Sequence, residues 1–221
     1  MPNKQSKKNP IFAVTMGDPA GIGPEIALKA LSSTRLPSDC KTFIIGDISV
    51  IEAAREYTSV TYGLNSLKSV KDYKKNHINI YSLSSIDPLD YMIGRINKKC
   101  GTAAYSYIEK AISIAKEMQI DGIITNPINK EALKLANIPF PGHTEIIAQK
   151  TQLSDFSMVL KLEHLYVAHV TTHCSLREAI DNIEVENVFK TIKLLNDTLK
   201  NDFGIDNPVI GVGGLNPHAG E

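Results

Sequence analysis

Short runs of apolar residues alternate along the first part of the chain with longer segments in which apolar residues recur every three or four positions. The short runs have the length of buried strands, and the longer segments have the period of amphipathic helices. This alternation is typical of parallel strands joined by crossover helices. The predicted strands are 11–15, 42–45, 77–83 and a buried strand over 121–125, and the predicted helices are 25–31, 48–56, 101–118 and one that begins at Lys130.

The pattern changes near Met158. Two strand-like runs follow each other there with only Glu163 and His164 between them, which predicts an antiparallel hairpin rather than another strand–helix–strand unit. The predicted elements of this part are strands 158–162 and 165–172, a helix over 176–199 and a last strand over 208–213. We therefore expect an α/β protein with two domains, residues 1–135 and residues 136–221.

Composition and charge narrow the classes of partner. The chain has 24 basic and 24 acidic residues, so its formal net charge is zero. General electrostatic binding to nucleic acid or to an anionic membrane needs a basic excess, and no apolar run approaches the ~18 residues of a membrane-spanning helix. Cys40, Cys100 and Cys174 lie far apart, which predicts reduced thiols. We expect a cytoplasmic protein that recognises small molecules and has no nucleic-acid or membrane partner.

The most specific local motif is GDPAGIGPE at residues 17–25, between a predicted strand and a predicted helix. Its glycines allow backbone amides to approach an anionic or planar ligand, and the N-terminus of a helix favours negative charge. The spacing matches neither G-x-G-x-x-G nor a P-loop. A ligand-binding loop and a tight structural turn, with Pro24 in the first helical turn, are equally good interpretations.

Two further motifs present polar groups after predicted strands. TNPINK at residues 125–130 follows a strand at the sheet edge where ligands of α/β proteins collect, although it is also suited to capping the next helix. In PGHTE, at residues 141–145, the proline and glycine restrict the backbone. His143 and Thr144 are therefore predicted to lie on a defined loop as donors for an oxygen-rich substrate. A surface histidine and an N-cap threonine are the alternatives.

Histidines follow the last two predicted strands. HVTTH at residues 169–173 and LNPHAGE at residues 215–221 place His173 and His218 where side chains converge on a cleft. Histidine is the commonest transition-metal ligand, but this spacing alone leaves a metal site and a surface role both open. The remaining histidines are interpreted as structural or surface residues, and they are His77, His164 and His169.

Taken in this order, the five motifs resemble the 4-hydroxythreonine-4-phosphate dehydrogenase family of vitamin B6 biosynthesis. The residues that carry the resemblance are GDPAGIGPE (17–25), TNPINK (125–130), PGHTE (141–145), TTH (171–173) and GLNPHAGE (214–221). The resemblance implies the three-layer α/β/α fold of isocitrate and isopropylmalate dehydrogenases, with two subdomains. The second subdomain is expected to be incomplete, because the family pattern continues well beyond Glu221.

The resemblance also implies a reaction. The family oxidises the secondary alcohol of 4-phosphohydroxy-L-threonine with NAD or NADP, assisted by a divalent metal for which zinc, magnesium and cobalt are candidates. The β-keto acid then loses CO2 to leave 3-amino-2-oxopropyl phosphate for pyridoxal 5'-phosphate biosynthesis. Carried over by position, His143 and Thr144 would contact the substrate, and His173 and His218 would bind the metal.

The same resemblance implies a homodimer with metal ligands drawn from both subunits. A third metal histidine and the basic phosphate ligands belong to the part of the family pattern that follows Glu221. The catalytic and cofactor-binding residues stay unassigned.

Two other functions remain open. One is a dehydrogenase of a phosphorylated four-carbon sugar acid, a substrate that carries a hydroxyl where the amino acid carries its amine. No motif in the sequence distinguishes these two groups. A truncated, non-catalytic protein that binds a small phosphorylated ligand is the second alternative. A metal-dependent hydrolase is disfavoured, because no carboxylate accompanies the histidines in a hydrolase-type motif.

Overall fold

The computed structural model describes residues 9–33, 35–172 and 174–218. Contacts within the chain separate two compact units, one that extends to Gln152 and one that begins at Leu153. We refer to them as the first and the second unit. The predicted division into domains at residues 135 and 136 stays a prediction.

A five-stranded parallel sheet with strand order β3-β4-β2-β1-β5 forms the centre of the first unit. Its strands are β1 (Ile11–Thr15), β2 (Lys41–Gly46), β3 (Gly63–Leu67), β4 (His77–Ser82) and β5 (Gly122–Thr125). Its helices are α1 (Gly23–Leu31), α2 (Ile48–Glu56), α3 (Lys98–Lys116), α4 (Lys130–Leu135) and α5 (His143–Thr151). The four strands and four helices predicted for this part are confirmed. Strand β3 is an addition, and the sequence indicates α5 only through the alternative role of Thr144 as an N-cap.

Helices cover both faces of this sheet. In the central strand β2, the consecutive residues Phe43, Ile44 and Ile45 are all completely buried, although neighbouring side chains of a strand point to opposite faces. Helices α1 and α2 contact each other and the sheet, and helix α3 contacts β1, β2 and β5. The expected α/β fold with a parallel sheet is confirmed.

Strand β5 is not the buried strand that the sequence predicts. It lies at the edge of the sheet and pairs with β1 alone among the described strands, and the side chain of Ile124 is 47% exposed. An apolar run such as GIIT indicates a strand, but it does not reveal which strand of a parallel sheet is outermost.

The second unit contains the predicted antiparallel hairpin. Its strands are β6 (Val159–Leu162) and β7 (Leu165–Ala168), and its helices are α6 (Leu176–Asp181) and α7 (Val185–Asn201). The predicted second strand is therefore too long, since β7 ends before Thr172. The single predicted helix over 176–199 is also wrong. The side chain of Asn182 donates to the carbonyl of Glu178, which competes with the next helical turn and ends α6.

The last predicted strand, over residues 208–213, is not formed. No described strand pairs with this segment, and the side chain of Val209 is 97% exposed. The segment has the apolar, β-branched composition of a strand, but a strand also needs a partner for its backbone hydrogen bonds. Within the described ranges, no helix has the length and apolar character needed to cross a bilayer.

Candidate active site

The carboxyl ends of β1 and β5 bring two of the predicted motifs together. Thr15 and Thr125 are register partners, so the two strands end at the same edge of the sheet. Just beyond them, the backbone N–H of Asp18 donates to the carbonyl of Pro127 at 3.0 Å, and the N–H of Asn126 donates to the carbonyl of Thr15 at 3.3 Å. The turn after β1 and the turn after β5 are therefore joined backbone to backbone.

Two glycines of the first motif allow close contacts between backbones at this edge of the sheet. Gly17 has a φ of +78°, and a Cβ atom at this position would overlap the carbonyl oxygen of Pro127. A Cβ atom at Gly23 would overlap the carbonyl oxygen of Met16. A side chain at Gly17 would force the two turns apart, and one at Gly23 would push the start of α1 away from the end of β1.

Asn126 links the first turn of α1 to the same junction. Its side-chain Nδ2 donates to the carbonyl of Gly23 at 3.2 Å, and the residue is buried. Its backbone hydrogen-bonds to β1, as described above. Asn126 therefore fixes the position of GDPAGIGPE relative to TNPINK, which the sequence alone does not indicate.

Asp18 closes the turn after β1. Its Oδ1 accepts the backbone N–H of Ala20 at 2.9 Å, and the side chain is buried. Burial raises the pKa of the Asp18 carboxyl, and the hydrogen bond from Ala20 opposes this shift. The buried thiol of Cys100 has a pKa raised to about 12, by burial first and by the charge of Asp18 second. Cys100 is therefore a protonated thiol at neutral pH and not a nucleophile.

The strand next to β1 ends in a second Gly-Asp pair with different surroundings. Asp47 is completely buried, and its Oδ1 accepts the N–H of Ser85 at 3.0 Å. Its Oδ2 accepts the N–H of Ile86 at 3.1 Å and the hydroxyl of Tyr107 at 2.7 Å. Burial and the Asp47 carboxylate raise the pKa of Tyr107, so this hydroxyl keeps its proton. Asp47 therefore joins a loop and α3 to the end of β2.

His143 is the first residue of α5 and not the loop residue that the sequence predicts. Gly142, with an extended φ of −177°, takes the N-cap position. Thr144 is the exposed second residue of the helix, so its alternative role as the N-cap is wrong. The helix therefore begins two residues earlier than an N-cap at Thr144 would place it.

The His143 ring has one hydrogen-bond partner, and its Nε2 has none among the described residues. It hydrogen-bonds to the backbone of Asn126, whereas its Nε2 is buried and finds no partner among the described residues. Burial lowers the pKa of His143, and the Asn126 hydrogen bond and the charge of Glu145 oppose this shift. The imidazole is therefore neutral at pH 7.

Thr15 carries a second buried polar atom without a hydrogen-bond partner among the described residues. The residue is completely buried, and its Oγ1 has no hydrogen-bond partner within the described part of the chain. Buried polar atoms without partners are uncommon in native proteins. The edge formed by β1 and β5 thus combines a neutral imidazole with a desolvated hydroxyl. Sequence reasoning finds His143 through its motif but misses Thr15, whose only signal is a hydroxyl at the end of an apolar strand.

The two predicted metal ligands, His173 and His218, do not form a metal site within the described residues. His173 lies outside the described residues, and His218 lies in an exposed turn where its backbone N–H donates to Oδ1 of Asn216 at 3.0 Å. The described ranges contain no group of three His, Cys, Asp or Glu side chains arranged to hold a metal ion. One described imidazole is too few donors for a stable site, so the metal roles of His173 and His218 stay predictions.

The second unit also has two buried polar atoms without partners among the described residues, Oγ of Ser157 and Nδ1 of His169. They lie at the open end of the hairpin, where the N–H of His169 donates to the carbonyl of Met158 at 3.4 Å. The interpretation of His169 as a simple surface or structural residue leaves this buried nitrogen unexplained.

Comparison with known proteins identifies the family of the chain. A family model of the Pyridoxal phosphate biosynthetic protein PdxA matches residues 38–221. The chain belongs to the PdxA family. The family that the five motifs resemble is thereby confirmed, and the two turns joined at the ends of β1 and β5 are part of a PdxA-type fold.

Individual relatives of this PdxA-family chain agree. A protein of Oceanobacillus iheyensis, provisionally named a D-threonate 4-phosphate dehydrogenase, is 42% identical over 97% of the chain and 65% of its own length. The crystal structure of a 4-hydroxythreonine-4-phosphate dehydrogenase from Klebsiella pneumoniae has a TM-score of 0.89 at 34% identity, over 98% of this chain and 66% of that one. The corresponding enzyme structure from Burkholderia phymatum has a TM-score of 0.85 at 37% identity, over 96% and 64%. The chain spans about 65% of the length of the curated relatives it matches.

Proposed function

We propose that this PdxA-family protein is an NAD(P)-dependent dehydrogenase of a small phosphorylated hydroxy acid. The observation that carries the proposal is the neutral imidazole of His143, whose Nε2 is buried without a partner among the described residues at the carboxyl edge of the sheet. Ligands of open α/β sheets bind at this edge. The family match supports the choice of reaction.

The proposed substrate is 4-phosphohydroxy-L-threonine. Its secondary alcohol is oxidised to a ketone, and the resulting β-keto acid loses CO2 to give 3-amino-2-oxopropyl phosphate for pyridoxal 5'-phosphate biosynthesis. His143 and Thr144 contact the substrate in this proposal. Both lie in the first turn of α5, where the free backbone N–H groups of a helix favour an anionic group, and the hydroxyl-bearing Thr144 is exposed there.

A second substrate is favoured by the Oceanobacillus iheyensis relative, whose name refers to D-threonate 4-phosphate. This sugar acid carries a hydroxyl where the amino acid carries its amine. The same oxidation and decarboxylation would give the hydroxy analogue of the product. The site residues proposed above act on the alcohol that the two substrates share.

NAD or NADP is the proposed hydride acceptor, and His173 and His218 are the proposed ligands of a divalent metal, with zinc, magnesium or cobalt as candidates. His173 and His218 would hold this metal, which would supply positive charge to polarise an alcohol or carbonyl oxygen. We further propose that the protein is a homodimer and works in the cytoplasm.

A substrate comparison tests the proposed function. The intact protein is incubated with each phosphorylated substrate, with NAD or NADP and with or without a divalent ion, while absorbance follows reduction of the cofactor and trapping follows CO2. We expect cofactor reduction and CO2 release with one of the two substrates. Substrate binding by calorimetry without reduction of either cofactor would identify the alternative, a non-catalytic binding protein.

Variants test the metal ligands in the same assay. His173→Ala and His218→Ala are expected to lose turnover and to lower the metal content of the dialysed protein. Wild-type turnover in both variants after treatment with a chelator would contradict the metal assignment.

A further inference from the structure

We propose that Nε2 of His143 accepts the proton of the substrate hydroxyl as the alcohol is oxidised, and that the backbone of Asn126 holds the ring in the tautomer that can do so. This inference rests on the proposed function and assigns its catalytic residue. It goes beyond substrate contact, because a base must change its protonation state during the reaction.

The tautomer follows from the hydrogen bonding of the ring. Nε2 is buried and has no partner within the described residues, and we assign the bond to the Asn126 backbone to Nδ1. This bond favours the protonated ring, which identifies the partner as a carbonyl that accepts from Nδ1–H. A neutral imidazole carries one proton only. Nε2 therefore presents a lone pair.

The ring is also held in place by its helix. Ile146 of α5 is completely buried against Ile108 and Ile112 of α3. Before the helix begins, the ring of Phe140 stacks on Tyr105 with centroids 6.2 Å apart. A base that is fixed by a packed helix and by a backbone hydrogen bond loses little freedom when the substrate binds.

The charges around His143 suit an imidazole that becomes positive. Glu145, two residues further along α5, has its carboxylate near the start of the helix, 3.4 Å from the position of a Cβ at Gly142. Its charge favours the protonated ring. On the side that packs against α3, the charged groups Lys150 and Glu109 pair with each other. Glu145 is thus the charge left to stabilise the imidazolium.

The proposed step balances as follows. The O–H bond of the substrate breaks and its proton moves to Nε2 of His143, while the hydride of the same carbon moves to the nicotinamide of NAD(P)+. The alcohol is oxidised to a ketone and the nicotinamide is reduced. After CO2 leaves, the imidazolium returns its proton to the carbon of the enolate, which restores the neutral ring.

Other titratable groups at this edge are less suited to the role. Asp47 already accepts three hydrogen bonds, and Asp18 is tied into its own turn. The thiol of Cys100 has a pKa near 12 and stays protonated. His143 alone among these four combines a neutral acceptor with a missing partner.

A glutamine substitution separates proton transfer from binding. His143→Gln keeps a polar side chain at the site but cannot act as a base near neutral pH, so we expect kcat to fall by about 100-fold or more. Substrate affinity, measured by calorimetry, should change by less than about threefold, and kcat/KM should lose the pH dependence that comes from His143, whose pKa is lowered by burial below the ordinary histidine value. Added imidazole should partly restore turnover in His143→Ala. Circular dichroism checks that both variants are folded.

His77→Gln is the matched control. Nδ1 of His77 also lies within hydrogen-bonding distance of a backbone carbonyl, that of Lys75 at 3.1 Å, but His77 is exposed. Turnover should stay at the wild-type level in this variant. If His143→Gln keeps kcat within about threefold and raises KM instead, His143 is a binding contact and the base role is wrong.

A spectroscopic measurement tests the tautomer without turnover. In the intact protein labelled with 15N-histidine, the signals of His143 are those that His143→Gln removes. We expect a protonated Nδ1 and an unprotonated Nε2 at pH 7, and a protonated Nε2 would overturn the proposal. If the wild type turns over neither substrate, the proposed function fails and the base role fails with it. If the wild type and His143→Gln turn over alike, the base role alone fails.

Discussion

The neighbouring strands β1 and β2 both lead into a Gly-Asp pair, and the two ends differ in whether their polar groups are satisfied. Asp47, after β2, accepts hydrogen bonds from Ser85, Ile86 and Tyr107. At the edge formed by β1 and β5, in contrast, Oγ1 of Thr15 and Nε2 of His143 are buried without partners in the described part of the chain. The same short motif therefore stabilises the fold at one strand end and accompanies a candidate active site at the next.

The difference comes from the segments that return to each end. A loop and the tyrosine of α3 close over Asp47, and both carboxylate oxygens accept hydrogen bonds from them. The turn after β5 contacts the end of β1 mainly through its backbone, which joins the two turns and leaves Oγ1 of Thr15 and Nε2 of His143 without partners among the described residues. Unused buried polar groups lower stability, and proteins retain them where a ligand supplies the partner.

The largest effect is expected at the satisfied end. Asp47→Ala removes the acceptor for two backbone N–H groups and one buried hydroxyl, so the free energy of unfolding should fall by about 3 to 5 kcal/mol. Urea denaturation followed by circular dichroism measures this loss. A loss below about 1 kcal/mol would show that Asp47 does not hold this end of the sheet together.

The next effect separates backbone strain from close approach. Gly17 and Gly94 have φ values of +78° and +77°, but a Cβ at Gly17 would overlap Pro127, whereas nothing lies within 4 Å of one at Gly94. Gly94→Ala should therefore cost about 1 to 2 kcal/mol of unfolding free energy. Gly17→Ala should cost clearly more and should also lower turnover, because it separates the two turns of the site. Equal losses in the two variants would mean that the contact with Pro127 is unimportant.

A smaller pair of variants compares one hydroxyl at each strand end. Tyr107→Phe removes a donor to a charged group, so it should lower the free energy of unfolding by about 1.5 to 3 kcal/mol. Thr15→Val removes a buried hydroxyl that has no described partner, so stability should stay within about 0.5 kcal/mol or rise. Thermal unfolding of both variants provides the comparison. A large loss in Thr15→Val would reveal a structural role for this hydroxyl and remove the contrast between the two ends.

The smallest effect concerns pH. Burial lowers the pKa of His143 below the value of 6.5 for a free histidine, so the folded protein binds this proton more weakly than the unfolded chain. Its contribution to stability is present above pH 6.5 and is lost as the pH falls through the folded pKa. Between about pH 8 and pH 5, the wild type should lose more stability than His143→Gln. Parallel pH profiles of unfolding would contradict a lowered pKa.

Local pattern predicts the elements whose apolar residues are dense. The helix Ile48–Glu56 and the strand Ile11–Thr15 begin and end where the sequence predicts. Strand β3, GLNSL, is missed because only two of its residues are large and apolar. Tertiary context decides the other differences: the order of strands exposes β5, and the strand predicted over 208–213 has no partner among the described strands.

The site is predictable to a similar degree. The motif PGHTE identifies His143, because proline and glycine restrict the backbone before it. Its place at the start of α5 and its bond to Asn126 depend on residues that are distant in sequence, and so does the burial that removes water from Nε2. The two turns that form the site lie more than 100 residues apart, as the hydrogen bond between Asn126 and Gly23 shows.

The response of His143 to substrate tests the central claim most directly. The phosphorylated substrate is titrated into 15N-histidine-labelled protein without nicotinamide cofactor, and calorimetry under the same conditions establishes how much is bound. We predict that the Nε2 signal of His143 shifts in proportion to the bound fraction, because the substrate hydroxyl becomes its hydrogen-bond donor, while the signals of His77 do not move. Substrate binding that leaves the His143 signals unchanged would contradict an active site at the ends of β1 and β5.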